Sequence, residues 1–136
     1  MILKKILSGV AFLLFTLSIP AQESFSTVDG IARRTRKSAF SNPELLAKSL
    51  CKNLKTDREK ARVIFTWIAT NMRYDLDGVG NDGPEADSQA EYNEKRLKIA
   101  YRKGRGICMD YALLYQNMAE AVGLECAFVT GHSKSS

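Results

Sequence analysis

The sequence predicts an α+β fold in which helices make up most of the chain. Two observations support this prediction. Apolar residues recur at helical spacing in several segments, and one run, residues 125–131, has the β-branched and aromatic content of a strand. The 136 residues are enough for one modest domain with a single core.

Residues 1–21 have the layout of a secretory signal peptide. Lys4 and Lys5 precede an apolar stretch over residues 6–19, and Ala21 offers a small residue for cleavage. A membrane anchor is the alternative, but the stretch is shorter than the ~20 apolar residues that a span needs. We therefore expect an exported protein that is periplasmic, extracellular or associated with the cell envelope, with no integral span after cleavage.

Residues 22–41 are mostly polar and are predicted to be irregular, with room for one short helix. The basic residues of this segment are Arg33, Arg34, Arg36 and Lys37, without interleaved aromatic residues. Together with a net charge of only +5, this pattern favours a solvated face or contact with an anionic surface polymer, and we expect no nucleic-acid partner.

Two helices are predicted next, over residues 42–54 and 57–72. Asn42 is a favourable N-cap for the first, and Pro43 suits its first turn. Thr56 and Glu59 have the spacing of a capping box for the second. The residues expected to face inward are Leu45, Leu46, Leu50 and Leu54 on the first helix and Ala61, Val63, Ile64, Phe65, Trp67, Ile68 and Met72 on the second. We interpret Trp67 as a core residue rather than a substrate platform.

A loop rich in glycine and acidic residues is predicted over residues 75–88, followed by a helix over residues 91–102. The loop residues of calcium-binding type are Asp75, Asp77, Asn81 and Asp82. The EF-hand pattern fails at Val79 and lacks its final Glu, so we interpret the segment as a solvated loop and expect no metal.

A last helix is predicted over residues 108–122, ended by Gly123 and followed by the strand over residues 125–131. The residues expected to face inward on this helix are Tyr111, Ala112, Leu114, Tyr115, Met118, Ala119 and Val122.

Cys108 is the candidate nucleophile. It follows the basic, double-glycine turn of residues 102–107 and opens the last helix. The unpaired N–H groups at a helix N-terminus, the positive end of the macrodipole and the basic turn all favour a thiolate, which is the nucleophilic form. Asp110, in the first helical turn, acts in the opposite direction. The alternative interpretation is a small buried hydrophobic residue at a helix start.

Three cysteines in an exported chain leave at least one of them unpaired. A disulfide between Cys51 and Cys126 would leave Cys108 as the free thiol, and two buried free thiols are the alternative. A zinc site formed by the cysteines and His132 is not favoured, because no two of these residues have close metal-type spacing. We expect no cofactor.

Three blocks of the sequence resemble the transglutaminase-like superfamily. Residues 106–112, Gly-Ile-Cys-Met-Asp-Tyr-Ala, resemble its nucleophile motif. Residues 57–69 and 72–75 resemble the helix that precedes the nucleophile in the bacterial branch, and residues 121–131 resemble the helix-to-strand turn and first strand. The resemblance covers residues 42–134 and includes the kyphoscoliosis-peptidase-type branch.

The resemblance implies a papain-like, transglutaminase-like core with a Cys-His-Asp triad in which Cys108 is the nucleophile. The chain would be the helical half, with the nucleophile helix packed on the start of an antiparallel sheet that is mostly missing. Residues 42–136 would then form a C-terminally incomplete domain, because the His and Asp of the family come from later strands. Tyr74 and Tyr111 match framework positions, and a site wall is a second interpretation for Tyr111.

His132 is the one histidine of the sequence. A helix over residues 108–122 rises about 22 Å, and a strand over residues 125–131 that runs back along it returns about 23 Å. This geometry brings His132 near the height of Cys108 and makes it a candidate general base. We favour an exposed tail residue, because the catalytic His of the resembling family comes later.

Two functions from different classes follow from these observations. The first is an exported cysteine peptidase or transglutaminase that acts on protein or peptide amides through Cys108, completed by a downstream His and Asp. The second is a catalytically inactive remnant or a protein-interaction module that keeps only the scaffold.

Overall fold

The computed structural model describes residues 25–80 and 83–131. The helices and strands are α1 (Ser26–Arg34), α2 (Pro43–Cys51), α3 (Asp57–Asn71), β1 (Arg73–Tyr74), α4 (Gln89–Lys103), β2 (Arg105–Gly106) and α5 (Cys108–Glu120), with single 3₁₀ turns over Lys37–Ala39 and Leu76–Gly78. None of the described helices is long and apolar enough to cross a membrane. The predicted signal peptide and His132 lie outside the described residues.

The starts of α2 and α3 have the caps that the sequence predicts. The Asn42 side chain accepts a hydrogen bond from the Leu45 N–H at 2.9 Å, and Pro43 occupies the first helical position. At α3, the Thr56 hydroxyl accepts from the Glu59 N–H, and the Glu59 carboxylate accepts from the Thr56 N–H at 3.0 Å. Because these bonds satisfy N–H groups that have no partner within the helix, they fix where each helix begins.

Helix α3 lies at the centre of the molecule and packs against α1, α2 and α5. The largest fully buried side chains are Trp67, Leu46, Leu50, Ile64, Leu114, Met118 and Val63. The Trp67 indole N–H donates to the carbonyl of Thr35 at 2.9 Å, and its ring centroid lies 6.5 Å from that of Tyr101. The predicted core role of Trp67 is confirmed.

The segment predicted to be irregular contains helix α1. Val28 and Ala32 of this helix are buried against α3. The Asp29 carboxylate accepts hydrogen bonds from Nε and Nη2 of Arg62, each at 2.8 Å, and from the Thr66 hydroxyl at 2.9 Å. A polar segment is therefore anchored on α3 by two small apolar contacts and one bidentate ion pair.

The strand predicted over residues 125–131 is absent from the structure, where these residues are irregular. The sheet in the described part of the chain is the parallel pair of β1 and β2, so the strand orientation matches the expected antiparallel start of a sheet only in part. A β-rich run forms a strand only where a neighbouring edge supplies hydrogen-bond partners, and within the described residues no strand pairs with residues 125–131. The helix-rich α+β class itself is confirmed.

The predicted inward faces hold for most positions and differ at four. Leu45 and Phe65 are 49% and 58% exposed, and Ala112 is also exposed. Leu113, which was not predicted to face inward, is buried and lines a cleft with Leu97 of α4. The buried face of α5 therefore includes Leu113 on the side of α4. The spacing of apolar residues along α5 does not show where α4 lies, so it could not predict this contact.

We predict that the ion pair of Asp29 makes stability depend on pH in the acid range. The hydrogen bond from Arg62, followed by that from Thr66, lowers the pKa of Asp29 from 3.8 to about 2. A carboxyl with a lowered folded-state pKa contributes stability above its unfolded pKa, and this contribution is lost as the pH falls through the folded value. Between about pH 4 and pH 2, the wild-type Tm should therefore fall more steeply than the Tm of Asp29→Asn.

Thermal unfolding followed by circular dichroism at stepped pH tests this prediction. The remaining acidic groups are the same in both proteins, so they contribute equally to the two curves. Parallel Tm curves for wild type and Asp29→Asn across this range would contradict the assignment.

Candidate active site

Cys108 is the first residue of α5 and is exposed. The chain reaches it through β2 and the N-cap residue Ile107, whose backbone is extended. The first N–H groups of a helix have no partner within the helix, and they carry the positive end of its dipole. The thiol therefore lies beside a group of N–H donors at a surface that a substrate can reach.

Gly104 makes the turn from α4 into β2 possible. Its φ of 68° is in the left-handed region, where it ends α4 as a C-cap and donates its N–H to the Ala100 carbonyl at 2.8 Å. The Lys37 ammonium donates to the carbonyls of Tyr101 and Arg102 at 2.8 and 3.0 Å. A cation at the negative end of α4 stabilises the end of that helix. Lys37 therefore helps to hold in place the turn from α4 into β2, which leads to Cys108.

The parallel pair of β1 and β2 ties the end of α3 to the approach of Cys108. Arg73 lies opposite Arg105 and Tyr74 opposite Gly106. The N–H groups of Arg73 and Asp75 donate to the carbonyls of Gly104 and Gly106, each at 3.0 Å. The resemblance included Tyr74, but a two-residue strand is too short to give an alternating pattern, so sequence reasoning missed this pairing.

Asp110 is buried and fully paired, which the sequence did not reveal. Its two carboxylate oxygens accept from Nε and Nη2 of Arg96, each at 2.7 Å, and one of them also accepts from the Ile107 N–H at 2.8 Å. The hydrogen bonds that Arg96 donates to Asp110 raise the pKa of Arg96, so the guanidinium stays charged. The charge that we expected to act against a thiolate at Cys108 therefore has a counter-charge on α4.

Gly106 is required by the same arrangement. A Cβ at this position would lie 2.5 Å from the Asp110 Cβ and 2.7 Å from a carboxylate oxygen. Cβ atoms in folded proteins essentially never make non-bonded contacts this short. Gly106 therefore lets the β2 backbone lie directly against Asp110.

The three cysteines lie in different environments, and each is a free thiol in the structure. Cys51 is buried in the core, and burial raises the pKa of its thiol to about 11, which makes it unreactive at neutral pH. Cys126 is half-buried in the irregular segment after α5. Of the two alternatives left open for Cys51 and Cys126, the structure has free thiols.

The other predicted site residues fall into two groups. The rings of Tyr111 and Tyr74 lie side by side, with centroids 6.3 Å apart, and burial raises the pKa of the Tyr111 phenol. Tyr111 is half-buried one turn after Cys108, and its interpretation as a site wall stays a prediction. His132 lies outside the described residues, so its distance from Cys108 is not part of the structure.

Of the four loop residues of calcium-binding type, Asn81 and Asp82 lie outside the described residues, and Asp75 forms an ion pair with Arg105. Arg105 Nε lies 3.6 Å from a carboxylate oxygen of Asp75. Within residues 25–80 and 83–131, no three His, Cys, Asp or Glu side chains come together in a way that could hold a metal ion. A cavity of about 400 Å³ lies between this loop, α4 and β2, but Cys108 is not among its lining residues, and we do not assign it as the substrate pocket.

The fold and site define a class of protein: a helical core that presents an exposed cysteine at the start of its last helix. The sequence model of the Transglutaminase-like superfamily matches residues 44–135, and the chain belongs to that superfamily. The predicted family is therefore confirmed.

Two curated relatives are similar to the chain. It is 31% identical over 96 residues to the kyphoscoliosis peptidase of Homo sapiens and 30% identical over 89 residues to that of Mus musculus. These matches cover 71% and 65% of the chain but only 13% and 12% of the relatives, so the chain spans about an eighth of their length. No solved structure gives a significant match.

We predict that Gly106→Ala destabilises the protein through its contact with Asp110. Because the added Cβ would overlap the Asp110 side chain, we expect the free energy of unfolding in urea to fall by roughly 1–3 kcal/mol. Gly131→Ala is the matched control, since no heavy atom lies within 4 Å of the added Cβ. Equal stability of the two variants would contradict the close approach of Gly106 to Asp110.

Proposed function

We propose that the protein is an exported transglutaminase-like enzyme that cleaves or transfers carboxamides of proteins or peptides through Cys108. The observation that carries this proposal is an exposed thiol at the N-terminus of a helix, in a chain that belongs to this superfamily. Export rests on the signal-peptide pattern of residues 1–21, which fits a periplasmic, extracellular or envelope-associated protein.

The reaction proceeds by covalent catalysis. The Cys108 thiolate attacks the amide carbonyl carbon, and the C–S bond forms while the carbonyl oxygen takes up negative charge. Backbone N–H groups at the start of α5, that of Cys108 among them, are the donors for this oxyanion. Ammonia or an amine leaves with a proton from the general acid, and a thioester remains on Cys108.

The second half of the reaction decides the product. Water attacking the thioester gives a carboxylic acid, whereas a primary amine gives a new amide, and the thiol is regenerated in both cases. The superfamily resemblance assigns the proton transfers to a His oriented by an Asp. The described residues contain no histidine, so the base would come from outside them, either as a downstream His with its Asp or as His132.

A catalytically inactive scaffold or protein-interaction module is the second candidate function. This function would hold if no His and Asp complete Cys108, because a thiol without a base is a poor acyl-transfer catalyst near neutral pH. In this function the helices would serve to bind a protein partner, and Cys108 would be dispensable.

We predict that Cys108→Ala abolishes amide turnover. The protein at its native length is incubated with a glutamine-containing peptide and a fluorescent primary amine, and both ammonia release and amine incorporation are measured. Ammonia release should fall by about a thousandfold or more, because the covalent nucleophile is lost. Cys126→Ala is the matched control and should retain the activity, since this half-buried thiol is outside the proposed chemistry.

The products separate the candidate functions. Amine incorporation identifies a transferase, and ammonia release without incorporation identifies a hydrolase. Peptide binding by the folded wild type with neither ammonia release nor cleavage of the peptide backbone would overturn the enzymatic function in favour of the interaction module. Equal turnover by wild type and Cys108→Ala would show that Cys108 is not the nucleophile.

A further inference from the structure

The ion pair of Arg96 and Asp110 joins α4 to the first turn of α5. Both N–O distances are 2.7 Å, and the side chains are 10% and 6% exposed. This is the bidentate geometry in which an arginine binds a carboxylate most strongly. Asp110 stands two residues after Cys108, so the pair lies within the same helical turn as the thiol.

The carboxylate of Asp110 has two opposite effects at this helix start. It accepts the Ile107 N–H at 2.8 Å, which fixes the peptide immediately before Cys108. An unpaired negative charge in the first turn of α5 would also oppose ionisation of the thiol, because like charges disfavour each other's charged forms. The Arg96 guanidinium leaves the first effect in place and gives the Asp110 carboxylate a counter-charge.

We propose that Arg96 is a positioning residue for Cys108, which holds Asp110 on the Ile107 N–H and neutralises its charge so that the thiol can ionise. This inference rests on the proposed function, since it gives Arg96 a part in the chemistry of Cys108. Arg96 acts through Asp110 and need not touch the substrate.

A purely stabilising role accounts for this pair less well. Removing two charges from water costs free energy that their attraction often only balances, and apolar residues of similar volume commonly stabilise a protein as much. The Asp110 carboxylate also lies against Gly106. An apolar side chain of similar shape at position 110 would be equally close to Gly106, but it could not accept the hydrogen bond from the Ile107 N–H. The pair is therefore better explained by its effect on the peptide immediately before Cys108, whose N–H the Asp110 carboxylate binds.

Other charged and titratable groups surround this helix start and stay constant in the test. Arg105 of β2 faces Asp75 at 3.6 Å, so these two charges largely offset each other. Arg73 of β1 and Lys103 at the end of α4 are exposed cations, and the phenols of Tyr74 and Tyr111 lie against each other. On α2, Glu44 binds Asn117 toward the far end of α5.

The experiment measures the rate of Cys108 alkylation by iodoacetamide as a function of pH, with the Cys108 peptide quantified by mass spectrometry. Arg96→Met leaves Asp110 unpaired and should move the midpoint of the profile to higher pH. Asp110→Asn leaves Arg96 without a counter-charge, while its Nη1 still donates to the Tyr92 hydroxyl at 3.2 Å, and should move the midpoint to lower pH. Each shift should be up to about one pH unit, the size that Coulomb's law gives for nearby unit charges at an effective dielectric of about 20–40.

The opposite signs of the two shifts distinguish an electrostatic role from a structural one. Loss of structure alone would change reactivity in the same direction in both variants. The double variant Arg96→Met/Asp110→Asn should return the midpoint close to that of wild type. Shifts of the same sign, or no shift in folded Asp110→Asn, would overturn the proposal.

Two further variants complete the design. Arg62→Met removes half of an ion pair of the same bidentate geometry on α1 and α3, so it should lower Tm without moving the alkylation midpoint. Arg96→Lys keeps the charge and should leave the midpoint nearer to wild type than Arg96→Met does. If Arg96→Met does not fold, Asp110→Asn alone decides the outcome, because Asn keeps an oxygen that can accept the Ile107 N–H.

The readout is independent of the proposed enzymatic activity. Shifts of opposite sign with no amide turnover would mean that Arg96 tunes the thiol of a protein that is not an amidase. Turnover that depends on Cys108, without shifts in these variants, would leave the proposed function standing and reject the role of Arg96.

Discussion

The burial of Trp67 in the middle of α3 holds most of the molecule together. Its indole is inaccessible to solvent and must place its N–H on an acceptor, because an unsatisfied buried donor costs about 1–3 kcal/mol. The acceptor is the carbonyl of Thr35, at the C-terminal end of α1. The Trp67 side chain thus helps to hold α1 on α3 and fills the core around α3. Helices α2 and α5 also pack against α3.

The backbone connects this core to Cys108 and determines where the cysteine lies. The chain leaves α3, forms β1 and pairs with β2, and β2 runs directly into α5. Two glycines serve this path for different reasons: Gly104 adopts a left-handed conformation, whereas Gly106 leaves room for Asp110. The candidate site is therefore built mainly from main-chain geometry, and its side chains serve to hold that geometry in place.

The sequence predicted the helices well because their signals are local. Thr56 with Glu59 and Asn42 with Pro43 mark helix starts within four residues, and the apolar spacing of α3 identified Trp67 as core. The β1–β2 pairing could not be predicted in this way, because it joins residues about thirty positions apart and each strand has only two residues.

The site itself was predicted in part. The motif around Cys108 located an exposed thiol at a helix start, and it also showed Asp110 in the first turn. The partner of Asp110 is fourteen residues away on another helix, and nothing in the spacing of Arg96 sets it apart from the other basic residues of α4. The composition of residues 125–131 predicts a strand, but a strand also needs a neighbouring strand to form hydrogen bonds with. Composition describes one segment only and does not show whether such a neighbour is present.

The Lys37 cap on α4 has a consequence for where the folding unit begins. The superfamily match starts at residue 44, yet the ammonium that binds the last carbonyls of α4 and the carbonyl that receives Trp67 both come from the preceding segment. A recombinant fragment trimmed to the family boundary would lose both groups, together with the buried contacts of α1 on α3. The packed helical unit of this protein therefore extends upstream of the family match and includes α1.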